Sequence, residues 1–263
     1  MEKLILVTND DGYQAKGIQT LARLMSHLGK VVVVAPDSAR SGAGCSISPT
    51  RPVEIAPVPT PSPVDEPWGP HPVTFYACSG TPVDCVKLAS EQVLERRPDL
   101  LVSGINHGDN ASISLHYSGT IGACIEGCLK GWTSVGFSLR TFDKNANFKP
   151  FEQTITEVAA NVLQHGLPRD ILLNVNFPEV AELQGVKLAR MARGQWSGEW
   201  ADAHRPYGNR AFWLTGQFTN LEPDAEDTDY WAIDHGFAAI TPLQLDMTAH
   251  SMLQSDQLKA LVR

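Results

Sequence analysis

Three apolar runs of this chain end in small polar residues and carboxylates: Leu4-Ile-Leu-Val-Thr-Asn-Asp-Asp-Gly12, Val31-Val-Val-Val-Ala-Pro-Asp-Ser-Ala-Arg-Ser-Gly-Ala-Gly44 and Leu100-Leu-Val-Ser-Gly-Ile-Asn-His-Gly-Asp-Asn110. The adjacent carboxylates Asp10 and Asp11 repel each other, and a divalent cation is a natural way to stabilise the pair. Ser41 can complete an oxygen shell, while Gly42 and Gly44 let backbone N–H groups approach an anion. In the third run the amide oxygens of Asn106 and Asn110 are neutral ligand candidates. Ser118-Gly119-Thr120 sets hydroxyls and an open backbone where a helix begins, and there both the unpaired N–H groups and the helix dipole favour negative charge. Oxygen donors beside glycine loops suit a hard metal ion and a phosphate.

Each of these residues also has a purely structural reading. Asp11 can cap the helix that follows, Ser41–Gly44 can be an ordinary surface loop, and asparagine tolerates left-handed turns. Arg40 can contact a phosphate or pair with Asp37. Ser118 can be a plain N-cap. His107 and His116 are near enough in sequence to act as acid or base, but nothing fixes a partner for either, so both read as peripheral. Cys124 and Cys128, four apart, read as core packing. No G-x-G-x-x-G follows the first strand, and no G-x-x-x-x-G-K-[ST] or G-x-S-x-G occurs, which disfavours dinucleotide binding, a P-loop NTPase and an α/β-hydrolase.

The elements that must position these tips alternate. Ile18, Leu21, Ala22, Met25 and Leu28 recur at helical spacing before Gly29 and the Val31 strand, giving a βαβ unit. Thr81-Pro-Val-Asp84 announces a second helix, with Thr81 as N-cap and Pro82 at the first position, running to about Arg97. Helices opening at Ser118 and over residues 151–165, with strands at Ser134–Ser138 and Ile171–Phe177, complete the pattern. Such alternation favours a Rossmann-like, doubly wound α/β fold with a mostly parallel sheet, in which ligands collect outside the carboxyl ends of the strands. Three segments distant in sequence could then meet in one crevice.

Two regions break the rhythm. Nine of the 18 prolines fall between Pro49 and Pro72; the stretch reads as an extended excursion without a regular element, flanking or covering the crevice. From about Lys187 the chain turns to Trp, Arg and turn residues, which suit a β-hairpin extension. We therefore expect a core over 1–186 and a C-terminal hairpin region over 187–263.

The net charge of −8 without a basic block argues against a nucleic-acid polymer as partner. Five cysteines without a Cys-x-x-Cys pair point to reduced thiols, and no run approaches the roughly 18 apolar residues of a membrane span, so a cytoplasmic protein is expected.

Taken together, Thr8-Asn-Asp-Asp-Gly12, Ala35-Pro-Asp-Ser-Ala-Arg-Ser-Gly42, Ser79-Gly-Thr-Pro-Val-Asp-Cys85, Ser103-Gly-Ile-Asn-His-Gly-Asp-Asn110 and Tyr117-Ser-Gly-Thr120 resemble the SurE (survival protein E) family of metal-dependent nucleotidases. Leu173-Asn-Val-Asn-Phe-Pro178 and Gly236-Phe-Ala-Ala-Ile-Thr-Pro-Leu243 extend the likeness. The resemblance implies one divalent ion per subunit, Mg2+ or Mn2+, on Asp10, Asp11, Ser41 and Asn106. It implies a phosphate surrounded by Asn9, Gly42, Asn110, Ser118, Gly119 and Thr120. The implied substrates are nucleoside 5′- and 3′-monophosphates, and the implied assembly is a homodimer or homotetramer that exchanges its C-terminal hairpin, which gives the region over 187–263 a role in oligomerisation. Ala111-Ser112 departs from the family, which usually carries glycine there.

Asp10 and Asp11 are the catalytic candidates, with attack by water or by one of these carboxylates both open. A nucleotide-binding sensor without turnover is the rival reading, and a metal-dependent glycosyltransferase a third.

Overall fold

The computed structural model describes residues 2–262 apart from Val64, Lys144 and Pro206. Strand β1 (Leu4–Thr8) is buried at every position, the pattern of a parallel strand covered on both faces. Helix α1 (Lys16–Met25) turns Ile18, Leu21, Ala22 and Met25 into the core, and Gly29 ends the turn into β2 (Lys30–Pro36). After β3 (Ile55–Val58) and β4 (Val73–Cys78), α2 (Pro82–Leu88) opens on a reciprocal cap in which Thr81 Oγ1 accepts from the Asp84 N–H and Asp84 accepts from the Thr81 N–H. It continues as a π-helical turn over Ala89–Val93 and stops at the extended Leu94, short of Arg97. Strand β5 (Leu100–His107), α3 (Gly119–Leu129), β6 (Ser134–Leu139), α4 (Glu152–His165) and β7 (Ile171–Phe177) complete the alternation.

Beyond β7 come β8 (Gly185–Leu188) and an arm of two short ladders. Its strands are β9 (Gly194–Ser197), β10 (Trp200–Asp202), β11 (Phe212–Leu214) and β12 (Gln217–Asn220), with β9 paired to β12 and β10 to β11. Helix α5 (Asp229–Asp234) then leads to β13 (Phe237–Gln244), which returns to the main sheet between β7 and β8. The extension is therefore a hairpin arm, but a boundary at 186/187 cuts β8 and separates β13 from the sheet that it joins.

The main sheet runs β3-β4-β2-β1-β5-β6-β7-β13-β8 and is parallel from β4 to β7; β3 lies antiparallel to β4 and β13 to β7. From β1 the chain builds outward through β2 and β4, then crosses to set β5 on the other side of β1. That reversal is the switch point where open parallel sheets leave a crevice. One core layer joins the sheet to α1 and α4 through Ile5, Val7, Phe75 and Phe137, and the other joins it to α2 and α3 through Leu6, Val34 and Ile121. Cys78, Cys85, Cys124 and Cys128 are buried in the second layer, while Cys45 is exposed.

The proline-rich stretch differs from expectation. It contains β3, with Pro57 on an edge strand where a missing N–H is tolerated. It then runs to the far end of the sheet, where the Gly69 N–H donates to Ser26 Oγ at 2.7 Å. Its beginning lies on the crevice side, where Arg51 Nη2 donates to the Ser79 carbonyl at 2.9 Å. No helix among the described residues is long and apolar enough to cross a membrane.

Candidate active site

Beyond Thr8 the chain must turn sharply, and Asn9 holds that turn: its Oδ1 accepts the Gly12 N–H at 3.2 Å and its Nδ2 donates to the Gly12 carbonyl at 3.0 Å. Helix α1 begins four residues later without a side-chain cap, so Asp11 is not its N-cap. Asn9 is fully enclosed, and its side chain shapes the loop from within.

Asp10, 4% exposed, is where the other segments arrive. The Thr120 hydroxyl donates to its Oδ1 at 2.7 Å, across 110 residues of sequence, and its main-chain carbonyl accepts the Arg40 N–H at 2.7 Å. Gly119 is required by this approach, since a Cβ there would stand 2.8 Å from the Asp10 Cβ. Asp11 faces the third tip: its Oδ2 lies 3.3 Å from the His107 main-chain nitrogen and 3.4 Å from His107 Nδ1. His107 thus has the partner that its sequence did not reveal. Its ring packs edge-on against Phe148, and its Nε2 is buried without a hydrogen-bond partner among the described residues. His116 is exposed on the surface.

The second loop is fixed from behind and open in front. The Gly44 N–H donates to the Tyr117 carbonyl at 3.1 Å, and a Cβ on Gly122 would fall 2.2 Å from the Gly44 carbonyl oxygen, so α3 and this loop touch backbone to backbone. Ser41 and Gly42 are exposed, with Gly42 at φ +74° and open space where a Cβ would be. Arg40 pairs with Asp37 at 3.1 Å and reaches the Ser79 carbonyl at 3.1 Å.

In the third tip Asn106 Nδ2 donates to the Gly108 carbonyl at 2.8 Å, so that Oδ1 is the side-chain atom able to ligate a cation. Asn110 is turned inward: Nδ2 donates to Ser138 Oγ at 2.8 Å, its N–H to Asn176 Oδ1 at 2.7 Å, and its carbonyl accepts from Asn174 Nδ2 at 2.8 Å. Asn176 Nδ2 in turn donates to Asn174 Oδ1 at 3.0 Å, closing a fully buried network. Ser138, Asn174 and Asn176 were not among the residues picked from the sequence. The signal was present in β7, where two asparagines alternate within an apolar strand.

Ser118 caps α3 by accepting the Ile121 N–H at 3.1 Å. Asn9, Asn110 and Thr120 each spend a side-chain donor within the protein, whereas the main chain of Gly42, Gly119 and the first turn of α3 carries N–H groups of the kind that can receive an anion.

Past Asn110 the chain departs from glycine, and the structure shows how it accommodates the change. Ser112 adopts φ +51°, with its N–H on Asp229 at 2.9 Å and its hydroxyl on the Ala192 carbonyl at 2.9 Å. Asp229, fully enclosed and pushed upward by burial, also accepts the Ala192 N–H at the root of the arm. Nearby, Arg140 joins Asp109 (3.2 Å), Asp234 and the face of Tyr230.

Burial, with Asp11 as a like-charged neighbour, pushes the Asp10 carboxyl up to about 6 despite the Thr120 hydroxyl. Among the described residues no three His, Cys, Asp or Glu side chains form a metal cluster. The donors at hand are two carboxylates with neutral oxygens of Ser41 and Asn106. Two adjacent carboxylates with neutral side-chain oxygens beside them fit a hard divalent ion, while the His107 ring nitrogen, 3.4 Å from Asp11 Oδ2, orients one of the pair. A cleft of about 530 Å³ at the opposite end of the strands, lined by Lys3, Lys30 and Arg96, has no part in this arrangement.

A family profile described as survival protein SurE matches residues 5–198. The chain is 48% identical over 250 residues to a protein of Phocaeicola vulgatus named 5′-nucleotidase SurE, covering 95% of this chain and 94% of that one. It is also 48% identical to the protein of that name from Bacteroides thetaiotaomicron, over 95% of this chain and 93% of the relative. The crystal structure of the SurE protein from Aquifex aeolicus superposes with a TM-score of 0.79 at 33% identity, covering 98% of this chain and 99% of the other. The chain belongs to the SurE family.

Proposed function

We propose that this chain is a divalent-metal-dependent phosphomonoesterase that converts nucleoside 5′- and 3′-monophosphates to nucleoside and phosphate. The observation that carries the reading is the meeting of Asp10, Asp11 and the start of α3 through the Thr120 hydroxyl. The relatives named 5′-nucleotidase support the substrate class.

Asp10, Asp11, Ser41 and Asn106 would hold the ion, Mg2+ or Mn2+. When bound, it supplies charge neutralisation for the phosphate and a more acidic water. The chain's own residues do the rest. Thr120 fixes the Asp10 carboxylate, and His107 fixes Asp11 through its main-chain N–H and ring. Gly119 and the Gly42 loop offer main-chain N–H groups to the phosphate oxygens, and the dipole of the 11-residue α3 adds to them. The asparagine network holds the Asn110 loop against the sheet, so the phosphate pocket is formed before the substrate arrives.

The working unit is read as a cytoplasmic homodimer or homotetramer. On the arm Trp200 and Leu214, paired directly across β10 and β11, are each about two-thirds exposed and share a face with Phe212, an apolar surface suited to a second copy. Light scattering on the purified chain tests this, and a monomer at micromolar concentration would oppose it.

The decisive assay is phosphate release from 5′- and 3′-nucleoside monophosphates with Mg2+, with Mn2+ and with chelator. Metal-restored release is expected. Tight nucleotide binding without release would favour a sensor instead.

A further inference from the structure

Beside the Asn106 tip stands an aromatic ring that neither the fold nor the chemistry above uses. Phe142 follows β6 and is 91% exposed. Single exposed apolar side chains are ordinary on a protein surface, so the argument rests on where this one is held. Its Cε1 lies 3.4 Å from the point where a Cβ of Gly108 would be, and Asn106 Nδ2 lies 3.8 Å from that same point. Ring edge and amide are therefore within about 7 Å of each other.

The segment beneath the ring is anchored on both sides. Arg140 is clamped by Asp109, Asp234 and the Tyr230 ring. The Thr141 hydroxyl donates to Glu179 at 2.9 Å and accepts the Asp143 N–H at 3.2 Å. Thr141 itself is 5% exposed, so a buried residue carries a bare aromatic neighbour. A ring carried on an anchored segment and offered to solvent beside the Asn106 tip is a ready platform for a planar ligand.

We propose that Phe142 stacks the nucleobase of the substrate and so sets the preference for nucleotides over other phosphomonoesters. This rests on the phosphatase reading above. Tyr117, 61% exposed and adjacent to Ser118, is the rival ring on the other lip of the site.

The test is the ratio of kcat/KM for adenosine 5′-monophosphate to that for ribose 5-phosphate, which lacks the base, measured with Mn2+ for the wild type, Phe142→Ala, Phe142→Trp and Tyr117→Ala. Because Phe142 is exposed, the variants keep the fold, and circular dichroism checks it. Phe142→Ala is expected to lower the ratio about 5- to 150-fold, the range that base–aromatic stacking carries, chiefly through KM for the nucleotide, with Phe142→Trp restoring it. An unchanged ratio, equal losses on both substrates, or a fall only in Tyr117→Ala would overturn the platform and leave the phosphatase reading intact. A wild type that cleaves neither substrate would overturn both.

Discussion

Replacing Asp10 by asparagine separates the stability of this protein from its chemistry. Asp10 is 4% exposed and, in the metal-free chain, titrates at about 6 instead of 3.8. The folded state therefore holds more protons than the unfolded state between those values, and metal-free stability falls as pH rises through that window. Above it the buried charge costs up to about 3 kcal/mol, taken at about 1.4 kcal/mol per pH unit. Asparagine keeps Oδ1 as an acceptor for the Thr120 hydroxyl and removes the charge. In chelator at pH 8, Asp10→Asn should thus melt higher than the wild type by about 4–8 °C, with the advantage vanishing by pH 4. Added Mn2+ should raise the melting temperature of the wild type and leave the variant unmoved, and hydrolysis by the variant should be lost. Scanning calorimetry across pH, with and without Mn2+, measures all of this. A variant less stable than the wild type at pH 8, or one still stabilised by the metal, would refute the claim that Asp10 is an uncompensated charge awaiting a cation.

Other perturbations probe the supports of the site. Thr120→Val removes the hydroxyl that pulls the Asp10 carboxyl downward, so the acid limb of the pH–kcat/KM profile should move to higher pH. Asn176→Ala leaves the Asn110 N–H without its acceptor and should lower the urea-unfolding free energy by about 1–3 kcal/mol while raising KM. In Gly122→Ala a methyl would fall 2.2 Å from the Gly44 carbonyl oxygen. That should push the Ser41–Gly44 loop from α3, destabilise by about 1–3 kcal/mol and weaken Mn2+ binding in calorimetric titration.

Much of this arrangement was legible in the sequence because it follows local rules. Apolar runs without alternation gave the parallel strands, and Thr81-Pro-Val-Asp84 gave the α2 start. The carboxylate, asparagine and glycine endings marked the strand tips. What stayed hidden depends on pairings across the chain. His107 read as peripheral because its partner, Asp11, lies 96 residues away. Asn110 read as a ligand-facing residue; that its Nδ2 also joins Ser138 in a buried network was hidden because the signal, the two asparagines of β7, lies more than 60 residues away in sequence. The proline-rich stretch hid an edge strand, since Pro57 is excluded only from ladders that need its N–H. The return of β13 to the sheet was obscured by the arm inserted before it.

A crystal grown with Mn2+ and measured at the manganese absorption edge tests the central claim most directly. The account predicts one anomalous peak per chain, within about 2.0–2.3 Å of oxygens from Asp10, Asp11, Ser41 and Asn106. A peak that leaves the Asp10–Asp11 pair untouched, or that uses only one of the three tips, would contradict it.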